Sequence, residues 1–147
     1  MKLSYLITGV LFSLLFNFSA NAQQQSNKES LLFAQAPDRV NCNPAILDQV
    51  FRVKNSSRVT LNISEQLSLT GEVTEQIAVS NDTQIINIRC SNYNNALFTL
   101  TRIREANQPE RFIGRIIHPK SNDAYVLVNE NGGYQFKKQT LSQMMAQ

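Results

Sequence analysis

The chain has a single histidine, two cysteines and no tryptophan among its 147 residues. One His and two Cys are too few for a structural zinc site. The alternating acids of a calcium loop are also missing, so no metal and no cofactor are expected. The five glycines are spread through the chain and form no phosphate-cradling loop. No G-x-S-x-G elbow marks a hydrolase nucleophile, and no C-x-x-C pair marks a thioredoxin-like activity. Charged residues make up 17% of the chain, below the quarter usual in globular domains, which excludes a charge-rich tail or a coiled coil. The polarity is carried largely by 16 Asn and 13 Gln.

What is present begins with a targeting signal. Lys2 is followed by an apolar run from Leu3 to Phe18, then by Ala20-Asn21-Ala22 with small residues where a signal peptidase reads them. The run is short for a membrane span of about 20 residues. The expectation is a secretory signal peptide over 1–22, cleaved after Ala22, and a mature chain of 125 residues (23–147) with net charge +2. No other stretch is long and apolar enough to span a membrane, so the product is expected to be periplasmic or secreted. Cys42 and Cys90 are then an even pair in an oxidising compartment, which predicts one disulfide. A loop of about 48 residues between them corresponds to roughly 4 kcal/mol in the chain-entropy model.

Residues 23–41 read as a flexible tether before one β-rich domain over 42–147, with a short apolar patch, Leu31-Leu32-Phe33, suited either to dock on the domain or to form one turn of helix. Asn43-Pro44 pairs an N-cap with a proline at the first helical position, and Ile46, Leu47, Val50 and Phe51 recur at helical spacing. From Val59 to Val79, eight of the eleven odd positions are apolar, whereas Ala78 is the lone apolar residue at the even positions 60–80. Side chains on a helix turn about 100° per residue and lose such an alternation, whereas a strand keeps it. The apolar odd positions are therefore expected on a buried face, with breaks at Ser64-Glu65-Gln66 and Thr70-Gly71-Glu72. Further strands are read at Gln84 to Cys90, Ala96 to Ile103, Arg111 to His118, Ala124 to Asn129 and Tyr134 to Lys138. The last two are joined across Asn131-Gly132-Gly133, a strong hairpin signal. Thr140 is placed as the cap of a short C-terminal helix. The fold class is mainly β: an antiparallel meander of about eight short strands, as a small barrel, a sandwich or a curved sheet, with one short helix near each end of the chain. An outer-membrane barrel is disfavoured, because Gln135, Lys137 and Lys138 crowd the last strand and no aromatic girdle is present.

Two constellations carry candidate chemistry. His118 lies near Ser121 and Asp123, but triad members converge from separate elements, and these three fall within six residues. Catalysis by His118 is therefore the alternative reading, a small secreted hydrolase. Glu65, Glu72 and Glu75 could supply paired carboxylates but sit at expected turns or on the wet face. The second constellation is basic. Arg102, Arg104, Arg111, Arg115 and Lys120 stand against Glu105 and Glu110. If paired strands present them together, Arg102, Arg104, Arg111 and Arg115 form one patch able to fork onto carboxylate, sulfate or phosphate; the plainer alternative is a solvated sheet face on which the local glutamates partner them. The favoured reading is an exported monomeric binding protein that engages a protein, an anionic glycan or a lipid head group through this patch. A structural or assembly accessory of the envelope is the third reading. Nucleic acid is not expected, because the mature charge is small and no stacking motif is present. Asn55, Asn62 and Asn81 match the glycosylation acceptor pattern.

Overall fold

A computed structural model describes residues 31–145; the expected signal segment 1–22, residues 23–30 and residues 146–147 lie outside the described residues. Eight strands form the sheet: β1 (Arg39–Cys42), β2 (Arg58–Ser64), β3 (Leu67–Ala78), β4 (Thr83–Cys90), β5 (Ala96–Ile103), β6 (Arg111–Ile117), β7 (Asp123–Glu130) and β8 (Gly133–Thr140). Two helices complete the order, α1 (Pro44–Val50) between β1 and β2, and α2 (Leu141–Met145) after β8. The sheet is antiparallel throughout, in the order β1-β8-β7-β6-β5-β4-β3-β2. β1 and β2, at its two ends, approach one another, so the meander is nearly closed into a barrel.

Local chemistry accounts for the turns. Asn131 and Gly132 both take positive φ, 51° and 79°, as a hairpin turn of matching twist requires, and Glu130 faces Gly133 across it. Asn43 caps α1 by accepting a hydrogen bond from the Ala45 N–H at 2.9 Å. From that helix Leu47 and Val50 are fully buried. The barrel interior is filled by side chains, as in other small barrels. Leu67, Leu69, Val73, Ile86, Ile88, Phe98, Leu100, Ile116, Tyr125 and Phe136 are all essentially inaccessible.

Three expectations change. Phe33 is 1% exposed, with its ring centroid 5.1 Å from that of Tyr93 and 4.8 Å from that of Tyr125. Residues 31–41 are thus part of the folded domain rather than a tether: they supply a core aromatic and the strand β1. Second, no break falls at Gly71. β3 runs through it, and a Cβ there would lie 2.2 Å from the Arg89 carbonyl oxygen, so glycine is what allows β3 and β4 to approach this closely. Third, the alternation of β3 changes phase. Val73 pairs with Ile88, and the next pair is Glu75 with Asn87, which leaves Thr74 as the extra residue of a β-bulge. Beyond it Gln76 takes the inward register opposite Ile86, and Ile77 and Val79 turn outward, 39% and 59% exposed.

Candidate functional site

The four arginines do not form one patch. Along β5 the inward residues are Ala96, Phe98, Leu100 and Arg102, so Arg102 points into the barrel end with only 8% of its side chain exposed. Its guanidinium bonds Asp48 of α1 at 2.7 Å and Gln84 of β4, and its carbon stands 4.3 Å from the centre of the Phe51 ring. Arg104, just past β5, shares the same acids, at 3.4 Å from Asp48 and 2.5 Å from Glu110. These two cations are therefore spent on a structural network. Asp48 is held below the ordinary aspartate range first by its hydrogen bond to Arg52, with Arg102 adding to the effect. Arg111 and Arg115 point the opposite way, on the outer face of β6. Arg111 meets Glu105 at 3.3 Å. Arg115 makes no ion pair or hydrogen bond among the described residues.

The triad-like cluster is also committed elsewhere. His118 Nδ1 accepts the Lys120 N–H at 3.2 Å. Ser121 and Asp123 are buried and face the amino-terminal segment. Asp123 accepts the Leu32 N–H at 2.7 Å through Oδ1 and the Phe33 N–H at 2.8 Å through Oδ2. The Ser121 hydroxyl donates to Asp123 and accepts from Leu32. Their chemistry is that of an anchor for backbone donors. Glu65, Glu72 and Glu75 are all exposed, and Glu75 accepts a hydrogen bond from Asn87.

Cys42 and Cys90 are both buried and not bonded to each other, which corrects the expected disulfide. Their strands, β1 and β4, are not neighbours in the sheet, and each thiol sits in the core as a small apolar group. Burial pushes both thiols up to about 12. A thiol reagent is therefore expected to leave the native protein unlabelled near neutral pH and to titrate two thiols in denaturant without reductant. Finding none in denaturant would restore the disulfide. Because both values are raised on folding, this contribution to stability is complete below the ordinary thiol pKa and is lost as pH climbs toward about 12.

The sequence reading missed the outer face of β4 to β7. Across it Ile77 pairs with Ile85, Ile85 with Thr101, and Thr101 with Ile113. This row of three isoleucines and one threonine is assembled from β3, β4, β5 and β6, and the surface continues onto Val126 of β7. Ile113 is 54% exposed and Leu97 37%. A groove of about 420 Å³ lies here, lined by Ile85, Thr99, Thr101, Ile113, Arg115 and Val126, with Met144 of α2 at its side. No helix among the described residues is long and apolar enough to cross a membrane. Among those residues, no group of three or more His, Cys, Asp or Glu side chains is placed to hold a metal ion. Comparison with protein-family models, with curated proteins and with solved structures returns no match.

Proposed function

We propose that this chain is an exported binding protein that engages its partner through the outer face of β4 to β7, and that catalysis is not its role. The observation that carries this reading is the exposed apolar row with its adjoining groove. Isolated exposed apolar residues are ordinary on a protein surface, whereas a contiguous patch marks an interaction surface. The filled interior also supports the reading, since the barrel core is taken up by its own side chains. The amino-terminal signal pattern from Lys2 to Ala22 supports a partner outside the cytoplasm.

The neutral reporter N-phenyl-1-naphthylamine, which brightens in apolar sites, provides the test. The full chain is expected to enhance its emission, and Ile113→Lys to weaken that binding about fivefold or more. Ile113 is largely exposed, so the substitution is expected to leave the melting temperature nearly unchanged. No enhancement, or enhancement indifferent to Ile113→Lys, would refute the reading.

A further inference from the structure

We infer that the groove beside Arg115 takes a single-chain amphipathic anion, with its acidic head on the guanidinium and its tail along Ile113, Ile85 and Met144. The inference rests on the outer-face reading and adds the ligand's charge and shape. Its first support is the state of Arg115. Arg39, Arg52, Arg102, Arg104, Arg111, Lys137 and Lys138 each meet a carboxylate. Arg115 meets none among the described residues, although it stands mid-sheet between Thr99 of β5 and Val126 of β7. Lys54 and Lys120, exposed in connections between elements, also make no ion pair among the described residues; Arg58 and Arg89 make none either, but Glu72 lies between them in register. Arg115 has no acid in the corresponding positions.

The second support is what surrounds this cation. On one side is the groove of about 420 Å³, within the range of small-molecule sites, about 300–1,000 Å³. On the other is a smaller hollow of about 180 Å³, lined by Leu97, Thr99, Ile117 and Pro119 as well as Arg115 itself. A guanidinium flanked by apolar surface matches a ligand that joins one negative group to a hydrocarbon body. It also provides the planar fork that carboxylate and sulfate heads accept.

Other occupants fit less well. A symmetric pair of chains packed through this face would bury both Arg115 guanidiniums, and a desolvated charge without a partner is costly. Recruitment to an anionic bilayer draws on clusters of about four to eight cations, whereas the outer face of β4 to β6 carries Arg89, Arg111 and Arg115, and Arg111 already meets Glu105. The committed occupant is therefore a soluble amphiphile bound one molecule at a time.

Decanoate, decan-1-ol and decyltrimethylammonium share one tail and differ in charge. Below their aggregation concentrations each would compete with the naphthylamine reporter on the full chain. Decanoate is expected to bind about tenfold more tightly than decan-1-ol, the size of one charge-assisted contact, and the ammonium compound most weakly. Arg115→Gln should bring decanoate down to the level of decan-1-ol, while Arg115→Lys keeps part of the preference. Equal affinity for decanoate and decan-1-ol, or no response to Arg115→Gln, would overturn the inference. If the reporter still binds in that case, the outer-face reading survives; if it does not, both fall. Arg115-dependent co-sedimentation with phosphatidylglycerol vesicles, without competition by free decanoate, would also overturn it in favour of a membrane surface.

Discussion

Asp123→Ala is expected to lower the unfolding free energy by about 4 kcal/mol. The two carboxyl oxygens of Asp123 accept the N–H groups of Leu32 and Phe33 at 2.7 and 2.8 Å, and hydrogen bonds to such a group are each worth about 1.5–3 kcal/mol. Asp123 and Phe33 are both almost completely buried. Removal of the carboxyl leaves the Phe33 N–H without that partner inside the protein, a penalty water cannot relieve without opening the fold. Leu32 keeps the Ser121 hydroxyl at 2.9 Å. Asp123→Asn retains one acceptor oxygen and is expected to cost about half as much. Urea unfolding measures both variants. Amide exchange at Phe33 should accelerate in Asp123→Ala well before exchange in β4 and β5. A neutral Asp123→Ala would show that the Phe33 ring alone docks the amino-terminal segment.

Arg102→Ala is expected to cost about 3 kcal/mol and to lower the melting temperature by about 10 °C. The side chain is 8% exposed and joins α1, β4 and the β5–β6 connection through Asp48, Gln84 and Glu110. Its contact with the Phe51 ring adds cation–π attraction. Arg102→Lys should recover little, because an ammonium cannot fork to Asp48 and Gln84 together. Arg102→Met keeps packing on Phe51 and should cost less than Arg102→Ala. The deficit is also expected to depend on pH. Folding holds the Asp48 carboxyl below its ordinary range. The stability from its ion pairs is therefore present above that range and is lost as pH falls through the lower folded value. Urea midpoints of Arg102→Ala and the parent chain should converge in acid. A gap that stays constant down to strongly acidic pH would show that packing, not charge, carries the Arg102 contribution.

Much of the fold is legible in the residues because its signals are local. Asn43-Pro44 caps and starts α1 where the chain itself presents both residues. The Asn131-Gly132 turn sets the β7–β8 hairpin, and the alternation from Leu61 to Val73 marks one buried face. The candidate site was much less legible. Arg102 and Arg115 belong to neighbouring strands in one basic stretch, yet they point to opposite faces of the sheet. The in-register partner of Arg102 is Phe112, and that pairing sends Arg111 and Arg115 outward. The acid that neutralises Arg102 comes from 54 residues earlier, beyond the reach of any spacing rule. Ser121 and Asp123 resembled a reacting pair because their partners, the backbone N–H groups of Leu32 and Phe33, lie about 90 residues away.

One histidine, two cysteines and scattered glycines are arguments from composition against a zinc site and a phosphate loop, and period-two alternation with polar turns determined an antiparallel meander. Those are properties of single residues and near neighbours. Only the tertiary structure decided which side chains share a face. The bulge at Thr74 exists because β3 holds one residue more than β4 can pair, and that one residue turns Ile77 and Val79 from expected core to open surface. The groove around Arg115 draws on β4, β5, β6, β7 and α2, so no segment of the sequence contains it. Its character is set by register, because a shift of one residue in a strand exchanges every side chain between core and solvent.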